Sequence, residues 1–374
     1  MKHGSRALRA ITAWGLALGL GGLAAVAAEP GWRDVLDTPA IQSAKASRSL
    51  FNGLARAGDR IVAVGQRGQI VYSDDSGHDW KQAVVPLGAD LVAVAFPTAT
   101  QGWAVGHGGV ILHTADAGAT WTRQFDGRRL GEVMSQAYAL GADMGSPAAS
   151  APASAAAPAA DAAASQVLDD AKRFAAQGAE ASFLDVWFRN ETTGWAVGAF
   201  GLILQTTDGG AHWTPLLHAV DNPKGLHFYA VRGVGDDVYL AGEQGLLLKL
   251  DRQQGRFRAI ELPYKGTLFG ILGNERAVIL HGLRGTVLRS TDGGATWQTI
   301  PTGVQVGLPS GTQDAQGRFV LVSQAGQILV GHDDGASFTL APIRQGVPAA
   351  GLIATARGPL VVAGPRGVSS LVLP

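Results

Sequence analysis

Four aspartates recur in one short frame, S/T-x-D-x-G-x-x-W: Asp75 between Ser73 and Trp80, Asp116 between Thr114 and Trp121, Asp208 between Thr206 and Trp213, and Asp292 between Ser290 and Trp297. A looser fifth copy carries Asp333, with Phe338 in the tryptophan position. In this frame the carboxylate can accept from backbone N–H groups of its own turn, the glycine two residues on admits positive φ, and the tryptophan packs beneath. The expected role is structural, because these aspartates sit on separate blades and face outward. A different chemistry is offered by Arg67, Arg284 and Arg366, each two residues past a repeated glycine, by His107 beside Gly106, and by Arg128 and Arg129 after the second repeat. A planar guanidinium fork suits carboxylate or phosphate recognition. These six residues are the candidate contacts to a protein partner; the alternative is solvated turn residues.

Enzyme chemistry finds little support. The 374 residues contain no cysteine, which removes thiolate metal sites, cysteine nucleophiles and disulfides. No H-E-x-x-H, P-loop or nucleophile-elbow pattern occurs. No cofactor and no metal is expected. Lys+Arg and Asp+Glu balance at 30 each, so no overall field draws the chain to nucleic acid or to an anionic membrane.

The elements that must position these residues follow from a repeat. The phrase V-A-V-G-x-x-G-x-I, followed by the aspartate turn, returns seven times. Its marker positions are Gly65, Gly106, Gly198, Gly242, Gly282, Ser323 and Gly364, spaced by 41, 92, 44, 40, 41 and 41 residues. A period near 40, broken once by about 50 inserted residues, is that of four-stranded propeller blades. Apolar runs such as Leu91 to Phe96 and Phe183 to Phe188 read as first strands buried on both faces. The fold class is therefore all-β, a seven-bladed β-propeller of four-stranded antiparallel blades.

Four segments are expected: a signal peptide over 1–28, a closing strand and blades 1 and 2 over 29–126, an insertion over 127–181, and blades 3–7 over 182–374. The leader has Lys2, Arg6 and Arg9 before an uncharged Ala10 to Ala28, the layout of a secretory signal, with an uncleaved anchor as the alternative. The chain is then exported, periplasmic or otherwise extracytoplasmic. The last repeat lacks its fourth strand, and Trp32 to Pro39 resembles Trp297 to Pro301, so the segment from Trp32 to Leu36 is expected to pair with Val368 to Leu373 and close the ring. In the insertion, Leu130 to Leu140 and Ser165 to Gln177 read as helices. Ser146 to Ala164, nearly all Ala, Pro and Ser, reads as a linker. The whole is either a neutral excursion or a flap over one face.

With its G-W-A-V-G-x-x-G and T-T-D-G-G-x-x-W phrases, the chain resembles the BNR/Asp-box repeat propellers. It resembles in particular the photosystem II stability and assembly factor-like family, over roughly 31–374 apart from the insertion. That resemblance implies a non-enzymatic scaffold outside the cytoplasm, likened to proteins that help a membrane complex assemble. It implies a protein partner, a membrane protein above all, peripheral membrane contact at most and a monomeric chain. Worn fourth and sixth Asp-boxes depart from the pattern. Sialidases share the Asp-box, so a glycan-binding or glycan-cleaving propeller is the alternative. It would need an arginine cluster, a tyrosine nucleophile paired with a glutamate, and an acidic acid/base. The turns between second and third strands share one face with the blade-to-blade connections, opposite the Asp-boxes; function is expected on that face.

Overall fold

The computed structural model describes residues 33–140, 158–342, 346–356 and 358–373. From Asp34 onward the chain is one compact unit. Seven antiparallel sheets follow one another, six with four strands in chain order and the last with three. The innermost strands are Phe51–Ala57, Leu91–Ala95, Phe183–Phe188, Phe228–Val234, Leu268–Gly273, Ser310–Gln313 and Gly351–Ala354. Each packs on the innermost strands of its neighbours, which gives a seven-bladed ring around a central channel. The second strands, such as Gly102–Gly106 and Gly194–Gly198, are buried throughout, as near-continuous apolar runs require. The core lies between blades, where Trp103 stacks on Phe188 with centroids 3.7 Å apart and Trp195 meets Phe257 edge-on.

The repeated glycine at the end of the second strand is there for close approach. A Cβ on Gly65, Gly106, Gly198 or Gly242 would stand 2.0 or 2.1 Å from the carbonyl oxygen that precedes the innermost strand. The next residue donates its N–H to that same carbonyl, as His107 does to Asp90 at 2.9 Å. Backbone and backbone therefore touch where any side chain would intrude.

The Asp-boxes form as the residues dictate. In each of the four, the Ser or Thr hydroxyl donates to the aspartate and accepts from the glycine N–H, as Ser290 does with Asp292 at 2.7 Å and Gly294 at 2.8 Å. The carboxylates of Asp75, Asp116, Asp208 and Asp292 accept from the N–H four residues on. Hydrogen bonds from the turn hold Asp208 and Asp292 at pKa values of about 2. Asp333 departs from this. Gly331 stands where the hydroxyl should be, Asp333 itself takes φ +50°, and its carboxylate makes no hydrogen bond to the turn among the described residues.

The boxes also link the blades. The residue after each aspartate is left-handed, at Ser76, Ala117, Gly209, Gly293 and Asp334, with Gly in two of the five places. A carbonyl of that residue or the next meets a donor from the preceding blade. Arg60 reaches Ala117, Gln124 reaches Gly209, Tyr239 and Lys249 reach Gly293, and Arg289 reaches Asp334. At the seam, Ser370 of blade 7 donates to the carbonyls of Ser76 and Gly77, both at 3.0 Å.

That seam corrects the expected closure. Trp32 lies outside the described residues, as does the leader. The rest of the proposed closing strand does not pair with blade 7: Val35–Asp37 is a single helical turn, capped by Asp34, whose Oδ1 accepts the Leu36 N–H at 2.9 Å. Leu36 is buried among Leu87, Leu91 and Val110 of blades 1 and 2, and Gly88 donates to the Val35 carbonyl at 2.7 Å. Asp37 pairs with Arg123 and Arg128, which hold its carboxyl at about 2. The ring closes instead through Ala46, Phe51, Val71 and Ala363, with Trp80 and Val368 alongside. Leu36→Ala is expected to cost about 2–4 kcal/mol, read as a lower urea midpoint; an unchanged midpoint would show that the N-terminal turn is not part of the folded unit.

The insertion is helical: α1 spans Leu130–Tyr138 and α2 spans Pro158–Gln177. Pro158 to Ala164, expected as linker, belongs to α2, because a run of alanines needs no core of its own to favour a helix. Met134, Ala171 and Phe174 are buried in the core cluster of blades 2–4. No helix of the described residues is long and apolar enough to cross a membrane.

Candidate functional site

In blades 1–5 the innermost strand opens with a paired residue, skips one, and resumes pairing. The skipped residues are Asn52, Val92, Leu184, Tyr229 and Phe269. A bulge re-aims one side chain out of the ladder, and all five of these line a cavity of about 310 Å³ in the channel. Blades 6 and 7 pair without a bulge, and the cavity wall there is small: Ser310, Gly311, Ala350 and Gly351.

The innermost strands have no neighbour across the channel, so side chains satisfy their backbone. Asn52 donates to the Leu91 carbonyl at 2.8 Å, Asp185 accepts from Val231 N at 2.8 Å, and Ser310 accepts from Leu352 N at 3.0 Å. Asp185 is 3% exposed. Burial pushes its carboxyl up, against the pull of Arg232, whose Nη1 is bonded to it. His281 stands where blades 1–3 carry Val64, Val105 and Val197. It is fully buried, donates from Nδ1 to the Leu308 carbonyl at 2.8 Å, and is held by burial, and secondarily by Arg232, at a pKa of about 4. Of the ionisable groups the alternative glycosidase reading needs, the described cavity lining holds one arginine, Arg232, one tyrosine, Tyr229, one carboxyl, Asp185, which is bonded to that arginine, and no glutamate.

From the cavity an aromatic row runs outward over blades 5, 4 and 3. Phe269 meets Tyr229 at 5.8 Å, Tyr229 lies 6.2 Å from His227, and His227 lies 4.6 Å from Phe200. His227 Nδ1 is 2.7 Å from Glu243, whose carboxyl these bonds hold low. Phe200 is 49% exposed at φ +55°, and Arg173 of α2 lies over its ring and bonds its carbonyl.

The family model for the photosynthesis system II assembly factor YCF48 matches residues 21–154 and 168–345. The chain belongs to that family. It is 28% identical over 160 residues to the photosystem II assembly lipoprotein Ycf48 of Synechococcus sp. (strain CC9902), an alignment covering 42% of this chain. The chain thus spans about half (48%) of that relative's length. A solved structure of YCF48 bound to D1 peptide shares the fold, with TM-score 0.59, 14% identity, and 87% and 94% of the two chains covered. Virginiamycin B lyase of Staphylococcus aureus shares it equally well, with TM-score 0.60, 12% identity, and 87% and 96% covered. The propeller alone therefore does not select a function.

In this YCF48-family chain the arginines expected at the partner face fall into three situations. Arg67 and Arg284 are exposed, hold φ of +53° and +57°, and their guanidinium groups make no hydrogen bond among the described residues. Arg366 is also exposed, but its turn is one residue tighter, with Gly364 paired to Gly367, so the three positions are equivalent in sequence and not in conformation. The Arg67 and His107 turns come together on one connection: Asp90 takes the Arg67 N–H on its carboxylate and the His107 N–H on its carbonyl. Arg128 is held by Asp37 and Asp126, and Arg129 lies over Phe125 and donates to the Gln124 carbonyl. Sequence reasoning passed over the aromatic row and the channel groups. The signals were a charge inside a twice-buried strand, in FLDVWF and FYAVRG, and a histidine in place of valine before the repeated glycine.

Proposed function

We propose that this chain is a non-enzymatic scaffold, acting outside the cytoplasm as a monomer, that holds a segment of a protein partner on the face carrying Arg67, Arg284, Arg366 and the aromatic row, in the assembly or stability of a membrane complex. The observation that carries this reading is the match to an assembly-factor family over most of the chain. Support comes from a propeller of the same fold that takes a peptide, and from the exposed Arg67 and Arg284, whose guanidinium groups make no hydrogen bond among the described residues, and the exposed Phe200 in the equivalent turn of blade 3. Arginines and aromatics are the side chains most enriched in binding hot spots. The opposite face is occupied by Asp-boxes whose polar groups are spent on their own turns and on neighbouring blades.

Photo-crosslinking from two positions tests it: Phe200 on the partner face and His212, whose side chain is 85% exposed, on the Asp-box face. In native membranes the Phe200 probe is expected to capture one polypeptide of a membrane complex that the His212 probe does not. Arg67→Glu with Arg366→Glu should reduce its yield at least tenfold. Equal capture from both faces, or capture indifferent to the charge reversal, would remove the proposal.

A further inference from the structure

The cavity in the channel has polar groups that its own walls leave half-used. Nη1 of Arg232 is consumed by Asp185 and the Val231 carbonyl, while Nε and Nη2 find no acceptor among the described residues, and the side chain is 37% exposed. Asp185 and Arg232 are the only charged side chains lining the described cavity, so the wall is neutral as a pair. A carbonyl only accepts, so the His281 contact to Leu308 fixes the proton on Nδ1 and leaves Nε2 a bare acceptor. That edge of the ring packs on Gly270, where a Cβ would stand 2.3 Å from Nε2, so the glycine makes room for the ring; His281 is 2% exposed and lines the cavity with what remains open, its Nε2 without a donor among the described residues. The Tyr229 hydroxyl has no partner among the described residues. Its ring and that of Phe269, T-shaped to each other, make an apolar wall with Leu184 and Val92.

A donor beside an acceptor, on a neutral wall next to aromatic faces, is complementary to neighbouring hydroxyls on a ring. Each hydroxyl both donates and accepts, and the C–H face of the ring can lie on an aromatic. An anion would meet an arginine already neutralised by Asp185. An aliphatic ligand would strand the guanidinium donors away from water, at the cost of their desolvation. We propose that the channel cavity is a binding site for a neutral sugar, with one hydroxyl accepting from Arg232, its neighbour donating to His281 Nε2, and the ring against Phe269 and Tyr229. A cavity of about 310 Å³ is at the small end of ligand sites and fits a single ring. The site shares Tyr229 and Phe269 with the aromatic row, but Arg67, Arg284 and Arg366 do not line it, so the arginine variants separate this reading from that of the partner face.

Saturation-transfer NMR with the methyl glycosides of glucose, galactose and mannose tests it, with glucuronate as the anionic control. At least one neutral glycoside should receive saturation and bind in the millimolar range, with glucuronate at least fivefold weaker. Leu184→Trp, which fills the cavity from its bulge, and His281→Leu should each weaken that binding at least tenfold, while Arg67→Glu leaves it unchanged. Transfer to none of the three, transfer that survives Leu184→Trp, or tighter binding of glucuronate would overturn the proposal. Leu184 is only partly buried, so this variant keeps the test decisive if His281→Leu folds poorly.

Discussion

Acidification from pH 7 to pH 4.5 should cost the wild-type fold stability that a His281→Leu variant does not lose. His281 is neutral in the folded chain, with a pKa of about 4, and titrates near 6.5 when unfolded. Between those values the unfolded state binds the extra proton, so stability falls as pH falls, beginning below about 6.5 and ending near 4. At pH 4.5 the loss assigned to this one group is roughly 2.5 kcal/mol. The other titratable groups lining the cavity are Asp185, Arg232 and Tyr229. Asp185 acts in the opposite sense, because burial raises its carboxyl and lets the folded state take a proton first. Both chains keep Asp185, so the comparison isolates the histidine. His281→Leu leaves the Leu308 carbonyl without its donor, a pH-independent cost of about 1 kcal/mol that shifts the variant's whole curve without changing its slope; the slope against pH is the readout. Urea denaturation at pH 7, 5.5 and 4.5 should give a steep slope for the wild type and a shallower one for the variant. Parallel slopes would mean that His281 is not held neutral by the channel wall.

The contrast between His281 and the Asp-boxes shows what a single sequence carries. Blade number and strand order were legible because their causes are local and repeated. Gly106 must be glycine because its own blade brings the Asp90 carbonyl against it, and Asp292 bonds a turn four residues long. The channel groups lack a local cause. Asp185 and Arg232 meet only because two blades are adjacent, and the bulge that presents Tyr229 is a property of pairing, which the residue types do not announce. The N-terminal segment shows the opposite failure. Its likeness to Trp297 to Pro301 suggested a strand, but Asp34 caps a helical turn at Leu36, and Asp37 finds Arg123 and Arg128 some ninety residues away. Those ion pairs anchor the segment on blade 2 and the turn that follows it. Asp333 kept the aspartate of its motif and lost the hydroxyl that organises it, so the letter survived without the turn.

Replacing Phe174 by alanine decides whether the insertion is a flap or part of the body. A flap that opens over one face would leave few side chains in the core, and its loss would barely move the unfolding transition. Phe174 instead is 1% exposed, and with Ala171 of α2 and Leu130 and Met134 of α1 it belongs to the cluster that includes Phe183 and Phe228 of blades 3 and 4. Removing a buried phenyl ring from such a site costs about 3–5 kcal/mol, the transfer of the ring plus the cavity it leaves. Neighbouring contacts oppose local collapse: Tyr138 accepts from Leu217 N at 2.9 Å and bonds His218, which pins α1 to the connection after blade 3. Phe174→Ala should therefore lower the urea midpoint of the whole chain in a single transition; a shift worth less than about 1 kcal/mol would restore the flap. The consequence reaches the partner face, because Arg173, one residue before, lies over both Phe174 and Phe200 and bonds the Phe200 carbonyl. With the phenyl ring gone the guanidinium loses one of its two aromatic supports, so the Phe200 turn should loosen, and crosslinking from Phe200 should fall under conditions where the variant is still folded.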